Sequence, residues 1–125
     1  MRRRQIGEWG EAVALHHLES KGYCIRARNW RTPEGEIDIV AQDGDTIVFV
    51  EVKARTTRDF GWPEESITVA KRRRLQRVAW AYLQAHEMLD AMWRIDVIAI
   101  DRSSSGAVER LEHYVSAVDG EPGRL

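Results

Sequence analysis

The sequence predicts an α/β fold, a mixed β-sheet flanked by helices. Two stretches, residues 5–21 and 68–88, repeat apolar residues at three and four positions, a period that strands cannot produce. Between them, apolar runs at 36–42 and 45–54 meet through Asp43-Gly44, a pair that marks a hairpin. A further apolar run, residues 93–100, follows the second helix. The order is therefore helix, three strands, helix, strand, and then a weak β tail.

Each element has a local cause. In the first helix Trp9, Ala12, Val13, Leu15 and Leu18 carry the apolar period, and Lys21-Gly22-Tyr23 stops it, because glycine can take the left-handed conformation. A strand follows over 23–30, and Thr32-Pro33-Glu34-Gly35 is turn chemistry before the hairpin. Residues 56–65 hold Gly61 and Pro63 without a clear period and read as a loop able to line a site. The second helix shows Leu75, Val78, Ala79, Tyr82 and Leu83 on one stripe. Residues 93–100 are apolar on both faces except for Arg94 and Asp96, as expected of a central strand. After a turn over 102–106, residues 107–118 add an edge strand or two, and 121–125 read as a frayed tail.

A chain of 125 residues is the size of one domain and can bury a core without staples. Apolar content of 43% and charged content of 31% are ordinary, and no run reaches the roughly eighteen apolar residues of a membrane span, so a transmembrane reading is excluded. Polar and acidic residues follow the basic start where a signal peptide needs its apolar segment, which predicts a cytoplasmic protein. Cys24 is the only cysteine, so neither an internal disulfide nor a thiolate zinc cluster can form, and it reads as a small buried hydrophobe. The net charge of -1 gives no reason to expect nucleic acid, but its distribution does. Cations cluster at 2–4, at Arg26, Arg28 and Arg31, and at 71–74 with Arg77, while Glu8, Glu11, Glu36, Asp38 and Glu51 concentrate negative charge.

The chemistry centres on residues 48–55, VFVEVKAR. Residues two apart on a strand share a face, so Glu51 and Lys53 sit side by side where apolar side chains are expected. That placement is unfavourable unless something compensates. With Asp43-Gly44 as a two-residue loop, Asp38 faces Phe49 and Glu36 faces Glu51, so Asp38 and Glu51 become diagonal neighbours on one face. Crowded carboxylates are relieved by a proton or a cation, and oxygen-only ligands favour Mg2+ or Mn2+. The competing reading is a buried ion network in which Lys53 pairs with Glu51 and Asp38 caps a loop.

Both helices carry a charge on the apolar stripe. Glu11 precedes Leu15 and Leu18 by four and seven residues, and Lys71 precedes Leu75, Val78 and Tyr82 by four, seven and eleven. Either alone reads as a snorkelling side chain, but both beside an acidic strand patch point to convergence. Asp38 and Glu51, with Glu11, would then hold the metal, and Lys53 would orient water or stabilise charge on a phosphate. Lys71, Arg72 and Arg73, with Arg55 at the strand end, would hold phosphate backbone. The reaction class is metal-assisted phosphodiester hydrolysis. The alternatives are a nucleic-acid-binding protein without catalysis and a partner-binding domain whose charges form an internal network.

Other constellations carry less. His16, His17, His86 and His113 lack metal-ligand spacing, and no glycine-rich phosphate loop is present. Gly7 and Gly10 lie inside the first helix, where glycine costs about 1 kcal/mol relative to alanine, so a close approach of another backbone or a ligand is expected there. Of the five tryptophans, Trp62 in the loop is the candidate for stacking on a base.

Residues 7–14 (GEWGEAVA), 35–41 (GEIDIVA) and 49–55 (FVEVKAR), with Phe60-Gly61, Lys71, Ala79 and Leu83, resemble the YraN family of small bacterial proteins of unassigned function. That family is similar to Holliday junction resolvases and the wider restriction-endonuclease-like superfamily. The resemblance spans residues 5–100 and implies a restriction-endonuclease-like core of helix, three strands, helix and strand, in one domain over 1–125, with 101–125 peripheral and the acidic site at one sheet edge. It implies a metal-binding aspartate at Asp38, an E-x-K pair at Glu51 and Lys53, a first-helix glutamate at Glu11 and a second-helix lysine at Lys71. It further implies a Mg2+-dependent or Mn2+-dependent endonuclease acting on DNA in preference to RNA, with branched or junction DNA among its substrates. A homodimer follows from the same resemblance, although no residue marks its face.

Overall fold

A computed structural model describes residues 3–56 and 67–118. Helix α1 (Arg3–Ser20) is followed by strands β1 (Cys24–Thr32), β2 (Gly35–Asp43) and β3 (Thr46–Arg55). Helix α2 (Val69–Ala85), β4 (Met92–Arg102) and β5 (Val108–Val118) complete the order. The strands form one sheet in the order β1-β2-β3-β4-β5. Every neighbouring pair is antiparallel except β3 and β4, which run parallel because α2 carries the chain back across the sheet. The expected helix, three strands, helix and strand are all present, and the weak tail supplies one strand.

The two helices cover opposite faces. Val48 and Val50 pack with Ala14 and Leu18 of α1, whereas Ile47 and Phe49 pack with Leu75, Val78, Ala79, Tyr82 and Leu83 of α2. A sheet buried on both sides explains the unbroken apolar runs of β3 and β4, which alternation alone would not predict. Glycine at position 10 has a steric cause: a Cβ there would lie 2.5 Å from the Cβ of Ala54. α1 thus rides directly on β3. Gly7 has no such neighbour within 4 Å among the described residues.

The hairpin register differs from expectation by two residues. Asp43 pairs with Thr46, so the loop is Gly44-Asp45, and Ile39 faces Val50. Gly44 takes φ +60° while Asp45 does not share a positive φ, which places glycine at the first central position, as type II′ turns require. Asp43-Gly44 had implied a loop one residue earlier. Cys24 is also a correction: it is exposed at the start of an outer strand rather than buried. The loop residues 57–66, with Phe60-Gly61 and the stacking candidate Trp62, lie outside the described residues, as do 119–125.

Arg94 and Asp96 of β4 are members of one buried network. Asp96 is fully buried and accepts hydrogen bonds from Arg94 Nε at 3.1 Å, the Ser116 N–H at 2.9 Å and His113 Nε2 at 2.8 Å. Burial alone would raise its pKa, but the bonds from His113, Ser116 and Arg94 outweigh it and hold the carboxyl below the usual range. His113 Nδ1 lies 3.1 Å from Nε2 of His17, so α1 is tied to β5 across the sheet. No spacing along the chain announces this meeting. Among the described residues no helix is long and apolar enough to cross a membrane.

Candidate metal and phosphate site

The site forms where β2 leaves β3. Their pairing stops at Ile39 and Val50, although β3 stays paired with β4 as far as Arg55 and Asp101. At the point of separation the Asp38 carboxylate takes over from the backbone: its Oδ2 accepts the Val52 N–H at 2.7 Å. Continuing the register sets Asp38 directly opposite Glu51 rather than diagonal to it. Ile47 and Phe49 face α2, and Glu51 and Lys53 continue that face toward the strand's carboxyl end. The site therefore lies at the end of the central strand, not on an outer strand of the sheet.

Two charge groups face each other here. Lys53 Nζ lies 3.4 Å from Glu51 Oε2, with side chains 24% and 16% exposed. Burial is the main force on Asp38, followed by the charge of Glu51 and a hydrogen bond to its carboxylate. Against the pull of the Val52 N–H, these push the Asp38 carboxyl up to about 9, so at neutral pH it donates a proton toward Glu51. Glu11 approaches from α1, and burial raises its pKa despite a hydrogen bond from Asn29, with the charges of Glu36 and Glu51 adding to the rise. Lys71 comes from the first turn of α2, which Thr68 caps by accepting the Lys71 N–H at 3.2 Å. The ammonium of Lys53 is the main force on Lys71 and, with burial, lowers its pKa.

Asp38, Glu51, Lys53, Glu11 and Lys71 are thus brought to one place, with Glu11 coupled by charge rather than by contact. The phosphate-holding residues divide. Arg72 and Arg73 are exposed at the start of α2, while Arg55 is half-buried, with Nε 3.4 Å from Asp101 Oδ1 and Nη2 buried without a hydrogen-bond partner among the described residues. Of the β1 cations, Arg26 bonds Tyr82 and Gln42, Arg31 pairs with Glu36, and Arg28 acts on the charge of Glu11.

Asn29 was not foreseen. It lies within β1 at φ +51°, a conformation asparagine tolerates, and its side chain holds Glu11. An asparagine inside a strand-forming run was the available signal. The elements of the ion-network reading, the Lys53–Glu51 pair and the capping Asp38, are both present. Yet on either side of the Lys53–Glu51 pair like charge meets like, Asp38 beside Glu51 and Lys71 beside Lys53, whereas a stabilising network alternates them.

The donor set can be tested against a divalent ion. Among the described residues no three His, Cys, Asp or Glu side chains are grouped as a ready cage. Mg2+ retains several waters and is commonly bound by one or two carboxylates, and the proton held between Asp38 and Glu51 is what a cation would displace. The residues fit such an ion.

The five-stranded mixed sheet, with α1 and α2 on its two faces, defines an α/β protein with a restriction-endonuclease-like core. The chain belongs to the uncharacterised protein family UPF0102, whose model matches residues 10–100, and this is the YraN family that the motifs resemble. It is 46% identical over 119 residues to a UPF0102 protein of Roseiflexus castenholzii, covering 94% of this chain and 96% of the relative. A UPF0102 protein of Pelotomaculum thermopropionicum is 45% identical over 115 residues, with 92% and 96% covered. One from Beutenbergia cavernae is 48% identical over 108 residues, with 86% and 91% covered.

Proposed function

We propose that the protein is a metal-dependent endonuclease that hydrolyses phosphodiester bonds of DNA, branched and junction DNA included, in the cytoplasm. The observation that carries the reading is the meeting of Asp38 and Glu51, two carboxylates holding one proton, beside the ammonium of Lys53, whose charge also acts on Lys71. Like charges held together are unfavourable alone and become favourable when a cation and an anion arrive together.

Asp38 and Glu51 would hold the ion, with Glu11 as the nearby third carboxylate. A magnesium or manganese ion in that position supplies Lewis acidity toward a phosphoryl oxygen and a lowered pKa for its bound water. Lys53, 3.4 Å from Glu51, places a positive charge beside the same oxygens, where it can orient water and stabilise charge developing on phosphorus oxygens. Lys71, Arg72 and Arg73 bind the phosphate backbone, and Arg55, engaged by Asp101, supports the strand end.

Linear, flapped and four-way junction DNA incubated with Mg2+ or Mn2+ is the test. Cleavage that disappears in folded Asp38→Asn and Lys53→Ala variants is expected, and failure to cleave any of the three substrates refutes the reading. A second reading, nucleic-acid binding without turnover, is favoured by the Lys53–Glu51 ion pair, which occupies both groups with each other. It expects salt-sensitive binding weakened by Arg72→Gln and Arg73→Gln, with no product at any metal concentration.

A further inference from the structure

We propose that the outer face of α2 is a lane for an unpaired strand of nucleic acid, leading away from the acidic site and stacking a base on Trp80. This deepens the proposed function by naming the substrate class: DNA in which a single-stranded arm leaves a duplex. The lane starts beside the site: Lys71, on which the charge of Lys53 acts, is followed three residues on by Arg74 and three further by Arg77, each the next neighbour along the helix surface. Arg73, Arg77, Trp80 and Gln84 then recur at intervals of four, three and four along the helix, so they form one outward stripe about 16 Å long.

Trp80 is the anomaly on this stripe. α2 buries Leu75, Val78, Ala79, Tyr82 and Leu83, yet Trp80 points outward and is 37% exposed. An edge-to-face contact restrains it: the indole meets Trp93 with centroids 6.0 Å apart at 74°. In front of it lies an open groove of about 390 Å³ lined by Glu34, Arg77, Trp80, Ala81 and Gln84. Glu34, the carboxylate among the described lining residues, is paired with Arg77 at 2.9 Å, which fixes the guanidinium at the groove's rim.

Charge complementarity selects the occupant. Three exposed cations, Arg73, Arg74 and Arg77, lie on the outer side of α2 within its first two and a half turns, and its first turn has no acidic residue. Such a face attracts a polyanion. Cations alone serve a duplex and a single strand equally well, but a flat indole can stack only on a base that is not already stacked in a helix. The combination of fixed aromatic and cation row therefore fits an unpaired arm.

The test uses the full chain in EDTA, with anisotropy of a labelled blunt duplex, the same duplex carrying a thymidine tail of about six nucleotides, and the tail alone. The tailed duplex should bind about tenfold more tightly than the blunt one. Trp80→Ala should erase that gain and Trp80→Phe, which keeps a ring and guards against a folding defect, should retain part of it. Arg77→Gln should lower the salt slope by about one for tailed DNA. A tail that adds nothing, or a Trp80→Ala loss equal for blunt and tailed DNA in a folded variant, overturns the lane. Cleavage of blunt DNA with no tail effect defeats the lane and leaves the nuclease standing. Trp80-dependent tail binding without cleavage by any metal does the reverse.

Discussion

Asp38→Asn in the absence of metal should stabilise the protein above neutral pH. The folded carboxyl keeps its proton up to about pH 9, whereas in the unfolded chain it is lost near the ordinary value of 3.8. Across that window the folded state binds the extra proton, so the stability it confers is complete below about pH 4 and declines as pH rises to about 9. The ceiling is about 1.4 kcal/mol per pH unit, or roughly 4 °C in melting temperature for a chain of this size. Asparagine removes the titration and can still accept the Val52 N–H through its amide oxygen. Thermal melts of both proteins in EDTA from pH 5 to 8 should therefore diverge, with the variant ahead at the alkaline end. Excess Mg2+ should restore the wild type, by about 2.7 kcal/mol at a hundred times its dissociation constant, and leave the variant unmoved. Parallel melting curves, or a variant less stable than wild type at pH 8, would show that Asp38 is a structural anchor and not a strained acid.

Gly10→Ala should lower stability by about 1–3 kcal/mol in chemical denaturation, since its methyl would collide with Ala54. Gly7→Ala, with open space around it, should raise stability by up to about 1 kcal/mol through helix propensity. Removing the α2 cap in Thr68→Ala should lower the urea midpoint by the equivalent of about 1 kcal/mol. Asp96, whose pKa is depressed in the folded state, contributes stability above the unfolded value near 4 that is lost as pH falls through the folded one. An Asp96→Asn variant should accordingly show a shallower loss of melting temperature between pH 5 and 3 than wild type.

Most of the fold was legible because its signals are local. The helical stripes of α1 and α2 and the apolar runs of β2 to β4 report which face is buried, and burial is what holds the elements in place. The hairpin register was not, since Asp43-Gly44-Asp45 accommodates either of two loops and the sign of φ at residue 43 separates them, a type I′ turn on Asp43-Gly44 needing it positive. The site survived that error. A slip of two residues preserves the face, so Asp38 still met Glu51. What stayed hidden depends on distant packing: His17 against His113, Glu11 held by Asn29, and Cys24 left on an outer strand where covering by a helix ends.

The hydrogen bond from Val52 to Asp38 also makes the hairpin's end an intrinsic indicator. The Val52 amide hydrogen is protected from exchange by a carboxylate oxygen instead of a backbone carbonyl. Its exchange rate will track what that carboxyl is doing, whether holding a proton, losing one, or being drawn toward a cation. One amide in the middle of the chain can therefore be followed by hydrogen exchange to watch the occupancy of the acidic site, without any substrate present.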